Sequence, residues 1–547
     1  MPPRLPATST RSARLKTLLF LWYNGFWISR NKRFGWKGAD LASWFERKSV
    51  LEKVRRLLSE HSCEGYVVGG YVRDQLLGRE THDLDFAVRQ EAIALARQAA
   101  NRLGGAFVPL DQERQTARVV LRDQDQLFYV DFATLRGDSV QADLAVRDFT
   151  INAMAVNAQD TSPHPQLIDP HGGQQDLEEG MIRGVSDTVF RDDPIRLLRA
   201  VRLAAELGMQ VESHTEQLMG RDASLITHSS AERARDELCK TLGTARAADG
   251  LRYLDQLGIL TLLIPELEPL RGLEQPPPHH QDVFDHSLAT VEELERIFAT
   301  LPLIVNRVQQ MRAEKEVPEA KVWGYLSDAL SPFAGQMLAH LKENVVDERS
   351  RLMLLKLVGL LHDSGKATTA KLDKRGRIRF FGHQMEGAAL AARVLRRLRF
   401  GNREVRLVQT VIRHHMRPLQ LAQQEKVTRR AIYRFFKDTR DMGVDVLLHS
   451  LADDLALWHP GQDLAKWQKL LDTVRLLLSK YYGEYDEVIV PPPLISGSDL
   501  ISRFSIQPGP AIGRLLQAVQ EGQAAGEIAT REEALRLAET LLAEGEE

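Results

Sequence analysis

Cysteine is close to absent from this chain: of 547 residues, only Cys63 and Cys239 carry a thiol. They stand far apart, in neither a CxxC nor a zinc-like spacing. That argues against a disulfide scaffold and fits a reducing cytoplasm, with both read as small buried hydrophobes. Charge of one sign is lacking too. The formal net charge is −2, so there is no global basic signature of nucleic-acid binding and any such surface has to be local. No apolar run reaches the length that crosses a bilayer. The nearest approach, TLLFLWYNGFWI at 17–28, is flanked by Arg and Lys and faintly resembles a signal sequence or an interfacial helix. It lacks a small-residue cleavage site and contains Asn24 and Gly25. Residues 1–48 are therefore read as an N-terminal extension, with no stable membrane partner and a cytoplasmic location expected. Short-period repeats are missing, and nothing in the sequence fixes an oligomeric state.

What remains is ordinary for a folded soluble protein, with 43% hydrophobic and 27% charged residues. The length exceeds what one hydrophobic core fills, so about three or four domains are expected. From 49 to 190 the signals alternate. SVLEKVRRLLSE reads as a helix, and GYVVGGYV, HDLDFAV, GAFVPL, ARVVLR and LFYVDFAT read as strands, with the helical EAIALARQAANRLG among them. After Asp192-Asp193-Pro194, which reads as a capped helix start, helical periodicity dominates nearly to the end. The pattern predicts an α+β protein: a small mixed β-sheet head with helices, followed by all-α domains. Proline runs at 274–280 and 490–497 punctuate the helical part, and 301–333 reads as a helical insertion without a legible role.

The stretch GGYVRDQLLGRETHDLDFAV (69–88) sets two aspartates one residue apart on a strand. Successive side chains alternate faces, so Asp83 and Asp85 point the same way and Leu84 enters the core. Carboxylates that close repel unless something positive lies between them, and such a pair grips Mg²⁺, a hard cation that prefers oxygen ligands. Gly69 and Gly70 allow a turn with close backbone approach to a phosphate, and Arg73 adds positive charge. In RDDPIRLLRAVRLAAELG (191–208), Asp193, Arg196, Arg199 and Arg202 recur every three residues along one helical face. By itself that stripe reads either as a solvated face with internal ion pairs or as a charged ridge left by close packing of the apolar residues between.

Together with VRDFTINAMAV (146–156), these stretches resemble the class II tRNA nucleotidyltransferase and bacterial poly(A) polymerase branch of the nucleotidyltransferases. The resemblance implies a catalytic set of Asp83, Asp85 and Asp131, with Mg²⁺ on the first two. It implies nucleotide binding by Gly69, Gly70, Arg73, Arg147, Asp148 and Asn152, and by Asp193, Arg196, Arg199 and Arg202. Asp193 would accept from the exocyclic amine of cytosine or adenine, Arg196 would donate beside it, and Arg199 and Arg202 would hold phosphates or the helix itself. The implied partners are the tRNA 3′ end, CTP and ATP, and the implied reaction is template-independent addition of C and/or A with release of pyrophosphate. Two departures stand out. Only ten residues separate Arg136 from Arg147, where enzymes adding the whole CCA end usually carry a longer flexible loop, and Val146 stands where the family often has another Arg. CC addition alone and poly(A) synthesis are the alternatives, and a hydrolase or RNA-binding protein with an inactive head is the non-polymerase reading.

A second constellation lies in QDVFDHSLATVEEL (281–294), LVGLLHDSGKATT (357–369), FFGHQMEGAALAARVL (380–395), VIRHHMRP (411–418) and SLADDLAL (450–457). Mixed imidazole and carboxylate ligands suit Mn²⁺, Ni²⁺, Co²⁺, Fe or Zn²⁺. The pattern resembles the HD phosphohydrolase domain of some bacterial tRNA nucleotidyltransferases. That resemblance implies a metal on His286, His362, Asp363 and Asp453 (Asp454 as runner-up), with His383 and His414 or His415 holding a second metal or contacting a phosphate. An HD-like scaffold without activity is the competing reading. The expected organisation is an extension at 1–48, a nucleotidyltransferase head at 49–190, a nucleotide-selecting and RNA-binding neck at 191–273, an HD domain at 274–460 and a helical tail at 461–547. Residues 391–440 hold fourteen Arg or Lys against three acids, with Tyr433, Phe435 and Phe436 among them, and read as an RNA-facing strip. Gly509 and Gly513 read as a helix start open to a phosphate or as a simple turn and cap.

Overall fold

The computed structural model describes residues 49–89, 91–123, 126–160, 162, 165–306, 318–458 and 464–544. The extension 1–48 and the middle of the 301–333 stretch lie outside the described residues. The backbone divides into two compact units: one runs to Val189 and includes Gln210–Glu216, and the other comprises Phe190–Met209 and the chain from Gln217. None of the described helices is long and apolar enough to cross a membrane.

The first unit is built on a seven-stranded sheet. Its strands are β1 (Gly65–Val68), β2 (Asp83–Val88), β3 (Ala106–Asp111), β4 (Thr116–Asp123), β5 (Gln126–Thr134), β6 (Ala155–Asn157) and β7 (Leu167–Ile168), in the order β3-β4-β5-β2-β1-β6-β7. The β2–β5 pair is parallel, and its register sets Leu84 beside Val130, Asp85 beside Asp131 and Phe86 beside Phe132. One face is apolar: Leu84, Phe86, Val130 and Phe132 are buried, and the two Phe rings stack at 5.5 Å. Helix α1 (Ser49–Glu60) turns Val50, Leu51, Val54, Leu57 and Leu58 inward at helical spacing. On the opposite face Ala87 packs with Tyr66, Val68, Leu135, Val140, Leu144, Ala153 and Ala155, so Asp85 projects beside a packed apolar floor. GYVVGGYV forms a buried strand that enters a turn, as its pattern predicts. The strand ends at Val68, Gly69 turns the chain with φ +71°, and helix α2 (Gly70–Leu76) begins at once. Helix α3 (Ala92–Leu103) follows β2, and the short helix α4 (Val140–Ala145) follows β5, capped by the Ser139 side chain.

The second unit is helical. Its site-bearing elements are α5 (Arg196–Leu207), α6 (Ala231–Gly243), α7 (Val283–Val305), α8 (Arg351–Leu361), α9 (His383–Arg397), α10 (Asn402–His414), α11 (Arg429–Thr439), α12 (Gly443–Ala456) and α13 (Pro510–Ala525). Helix α8 is apolar all round and buried along its whole length, as a central core helix must be. It carries two buried charges: Arg351 at its start, paired with Glu343, Asp441 and Asp445, and Lys356, whose Nζ donates to Glu295 on α7 at 3.2 Å and to the Thr244 carbonyl at 2.6 Å. Burial raises the Glu295 carboxyl to about 7 against the pull of Lys356. Lys356→Met, which leaves that acid buried without its cation, is expected to cost about 3–5 kcal/mol in urea unfolding. The deficit should be larger at pH 8 than at pH 5, because protonated Glu295 needs no partner, and Lys356→Met/Glu295→Leu should recover most of it.

Candidate functional site

In the first unit Asp83 is exposed and Asp85 half-buried, on one face of β2, with Asp131 beside Asp85 on β5. Burial raises the Asp85 carboxyl to about 6, the neighbouring Asp131 adds to the rise, and Arg147 opposes it. Two arginines hold the group together. Arg118 on β4 makes a bidentate pair with Asp131 at 2.8 and 2.9 Å. Arg147 is held from behind: its Nε and Nη2 donate to Asp143 at 3.0 and 2.9 Å. Asp143, itself 2% exposed, also accepts from Arg136 Nε at 2.9 Å and from the Arg136 backbone N–H at 3.2 Å. The ten residues between the two arginines are thus partly wound into α4 and pinned at both ends by one carboxylate.

Gly69 sits in the gap between these groups. A Cβ there would lie 3.0 Å from Arg147 Nη1 and 3.3 Å from Asp85 Oδ2, on a backbone at φ +71° that favours glycine. Gly70 is less constrained, since its Cβ would meet Arg73 at an ordinary 3.6 Å. Arg73 is buried, with Nε and Nη2 on Asp74 at 2.9 and 3.0 Å and Nη1 on Asn152 Oδ1 at 2.8 Å. The Asn152 amide nitrogen donates in turn to Asp148 at 3.1 Å. The predicted head residues therefore fall into two sets: Gly69, Asp83, Asp85, Asp131 and Arg147 around the carboxylates, and Arg73, Asp148 and Asn152 in an adjoining buried network.

The stripe on α5 is tied to the neighbouring helix α6. Asp193 accepts from Arg233 Nη1 and Nη2 at 3.0 and 2.7 Å. Arg199 and Arg202 donate to the two oxygens of Glu237 at 3.3 and 2.8 Å, Arg202 also reaches Glu206 at 2.6 Å, and Arg196 is buried. Of the two sequence readings, paired charges describe Arg199 and Arg202, although their main partner is on α6.

The histidines and aspartates of the second unit converge. Ligand atoms of His286, His362 and Asp453 lie within 4.8 Å of one another, and so do those of Asp363, His383 and His415. Asp363 joins the triads: one oxygen is 3.2 Å from His362 Nε2 and the other 3.5 Å from His383 Nε2. Three rings are aimed from behind, because Nδ1 of His362, His383 and His415 bonds the carbonyls of Gly359, Phe380 and Ile412 at 2.9, 2.8 and 2.7 Å. That leaves each Nε2 toward the cluster, the orientation that a carbonyl behind the ring imposes on metal-ligating histidines. His362 Nε2 and His383 Nε2 are buried without a hydrogen bond, so the donor set fits a divalent metal. His414 is not brought in; it stands only half-buried at the end of α10. Three residues join that the sequence did not single out: His449, whose ring lies 4.9 Å from that of His362, His279, 5.4 Å from His286, and Lys366, whose Nζ is 2.5 Å from Asp363.

The basic stretch is corrected in part. Tyr433, Phe435 and Phe436 are buried core residues of α11 and offer no stacking surface, while Arg393, Arg396, Arg403, Arg406 and Arg413 are exposed along α9 and α10. Gly509 precedes α13 on extended backbone, and Gly513 lies in that helix's first turn.

Comparison with known proteins adds a family. A model described as the Poly A polymerase head domain matches residues 65–183, and one for tRNA nucleotidyltransferase domain 2 matches 378–538. The A-adding tRNA nucleotidyltransferase of Deinococcus radiodurans is 32% identical over 475 residues, covering 86% of this chain and 93% of that protein. The chain belongs to the tRNA nucleotidyltransferase family. The CC-adding tRNA nucleotidyltransferase of Thermus thermophilus is also 32% identical, covering 86% of this chain and 92% of that one. A solved Thermotoga maritima CCA-adding enzyme complexed with tRNA shares the fold at a TM-score of 0.53 and 22% identity, covering 90% and 95% of the two chains.

Within this tRNA nucleotidyltransferase the residues hardest to see in advance are acids that orient arginines. Asp143, four residues before Arg147, carried a spacing signal and Glu237 carried none; nor did Arg118, the arginine that pairs with Asp131. Gly69→Ala is expected to lower nucleotide transfer about 100-fold by displacing Arg147 or Asp85. A steady-state assay at saturating substrates checks this, with an unchanged melting temperature showing that the fold survives.

Proposed function

We propose that this enzyme adds C and/or A residues to the 3′ end of tRNA from CTP and ATP, in the cytoplasm, through the carboxylates of β2 and β5. The observation that carries the reading is the register of Asp83, Asp85 and Asp131 on one face of a parallel strand pair, with Arg147 held beside them by Asp143. The RNA 3′-hydroxyl oxygen bonds to the α-phosphorus, the α–β bridging P–O bond breaks, pyrophosphate leaves, and the hydroxyl proton passes to solvent. Asp83 and Asp85 are the residues proposed to hold Mg²⁺, which would supply the charge that lowers the hydroxyl's pKa and offsets that of the departing phosphates. An oxygen-only donor pair suits that ion. Arg147 is the proposed triphosphate contact, close to Gly69, where no side chain intervenes. Gly70 completes the turn, and Arg73, Asp148 and Asn152 hold it in place. Asp193 and Arg196 are the proposed base readers: a carboxylate facing the amine of C or A pairs well, whereas facing a carbonyl it leaves two acceptors opposed. Arg199 and Arg202, bound to Glu237, position that helix.

A narrower reading, CC addition alone, is favoured by one observation: the connection between Arg136 and Arg147 is short and braced by Asp143 rather than free to swing. Sequencing the 3′ ends made on tRNA lacking its CCA end, with both nucleotides present, decides between them. Tails ending in CC support the narrow reading, CCA the broad one, and long A tails sink both. Asp83→Asn/Asp85→Asn is expected to abolish addition; retained activity would overturn the assignment of these carboxylates.

For the histidine–aspartate cluster we propose phosphohydrolysis with a transition metal, Mn²⁺, Ni²⁺, Co²⁺, Fe or Zn²⁺, on His286, His362, Asp363 and Asp453. His383 and His415 are proposed for a second ion or a phosphate. The reading is supported by the converging triads and by the carbonyl-anchored rings. Metal analysis of the purified chain is expected to find bound transition metal that His362→Ala/Asp363→Ala lacks. A wild-type chain that binds none when loaded with each of these ions speaks for the inactive scaffold.

A further inference from the structure

The segment between Lys366 and His383 does more than connect them. It forms a small hairpin, Lys371–Leu372 paired antiparallel with Ile378–Arg379. Five cations, Lys371, Lys374, Arg375, Arg377 and Arg379, stand on it against one acid, Asp373. The side chains of Arg377 and Arg379 are spent on Asp373 at 3.1 and 3.3 Å. Lys371, Lys374 and Arg375 are exposed and have no ion pair among the described residues. Next to these charges lie the three most exposed large apolar side chains of the described chain: Phe381 at 83%, Leu372 at 72% and Met385 at 51%. The chain ties this patch to the cluster. Phe380, the neighbour of Phe381, accepts from His383 through its carbonyl at 2.8 Å, and its ring lies 5.6 Å from Lys366 Nζ, which sits on Asp363.

An aromatic ring in water, flanked by unneutralised cations, is the surface that single-stranded nucleic acid uses: a base stacks on the ring while phosphates meet the charges. A protein partner for the apolar trio would face three unpaired cations with one acid, already engaged, among them. We propose that the hairpin and Phe381 form a lip that receives the last nucleotides of a single-stranded RNA 3′ end. The cluster's substrate is then a 3′-phosphorylated RNA end rather than a free small ester. This assignment rests on the hydrolase reading of the cluster. In the reaction a water oxygen bonds to phosphorus, the bond from phosphorus to the ribose 3′-oxygen breaks, and a water proton goes to that oxygen. The products are inorganic phosphate and a free 3′-hydroxyl, the group that nucleotide addition consumes.

Two esters and a binding measurement test it on the full chain loaded with Mn²⁺. Affinity for a fluorescent 3′-phosphorylated oligoribonucleotide is read by anisotropy, and turnover is read on that oligonucleotide and on p-nitrophenyl phosphate. Phe381→Ala and Lys374→Glu/Arg375→Glu are each expected to weaken oligonucleotide binding about tenfold and raise its KM by a similar factor. Turnover of p-nitrophenyl phosphate should stay at the wild-type rate, which also shows that the cluster is intact. Lys466→Glu/Lys469→Glu, an equal charge change on another exposed helix, should leave all three readings unchanged. Oligonucleotide affinity retained in both lip variants, or lost equally in the Lys466/Lys469 variant, overturns the lip. A wild-type chain that hydrolyses neither ester overturns instead the hydrolase reading, and with it the substrate assignment, independently of the binding result.

Discussion

Three carboxylates held within one sheet face repel each other, and the first unit is arranged around containing that repulsion. The parallel register of β2 and β5 brings Asp85 and Asp131 side by side. Arg118 neutralises one directly, and Arg147 approaches the other while its own position is fixed by Asp143. Desolvation makes the arrangement costlier still, since Asp85 stands beside an apolar floor. The neighbouring Gly69 places no side chain between Asp85 and Arg147.

The helical unit solves a similar problem by other means. Its cluster places imidazoles rather than guanidiniums between carboxylates, and backbone carbonyls three residues earlier in the chain decide which ring nitrogen faces inward. That device depends on local helix and turn geometry, so each ring is aimed by its own element and the set is assembled by packing. On α5 and α6 the order is reversed: Glu237 gathers two arginines of α5, while Asp193, just before that helix, is held by Arg233 of α6.

Much of this was legible in the sequence where the signal is periodic or local. Alternation along HDLDFAV located the Asp83–Leu84–Asp85 pattern, and the three-residue recurrence from Asp193 to Arg202 located the charged stripe. Partners from distant elements were not legible. Nothing near Arg199 announces Glu237, and nothing near Asp131 announces Arg118, because strand register and helix packing choose those neighbours. The histidine pair left a choice open for the same reason: His414 and His415 are adjacent in sequence, and only the turn ending α10 decides which one enters the cluster. In the basic stretch composition was read as surface, whereas the 3.6-residue period buries Tyr433, Phe435 and Phe436 and exposes the arginines.

The Asn152 amide has a consequence for how the sequence can drift. Its oxygen receives Arg73 and its nitrogen serves Asp148, so a single side chain reads a donor from one motif and an acceptor from another far along the chain. An aspartate at this position would keep the first contact and set a second negative charge against Asp148; a leucine would strand both. Neither motif can therefore wander alone, and descendants of this chain that exchange Arg73 should carry matched, compensating changes at 148 and 152.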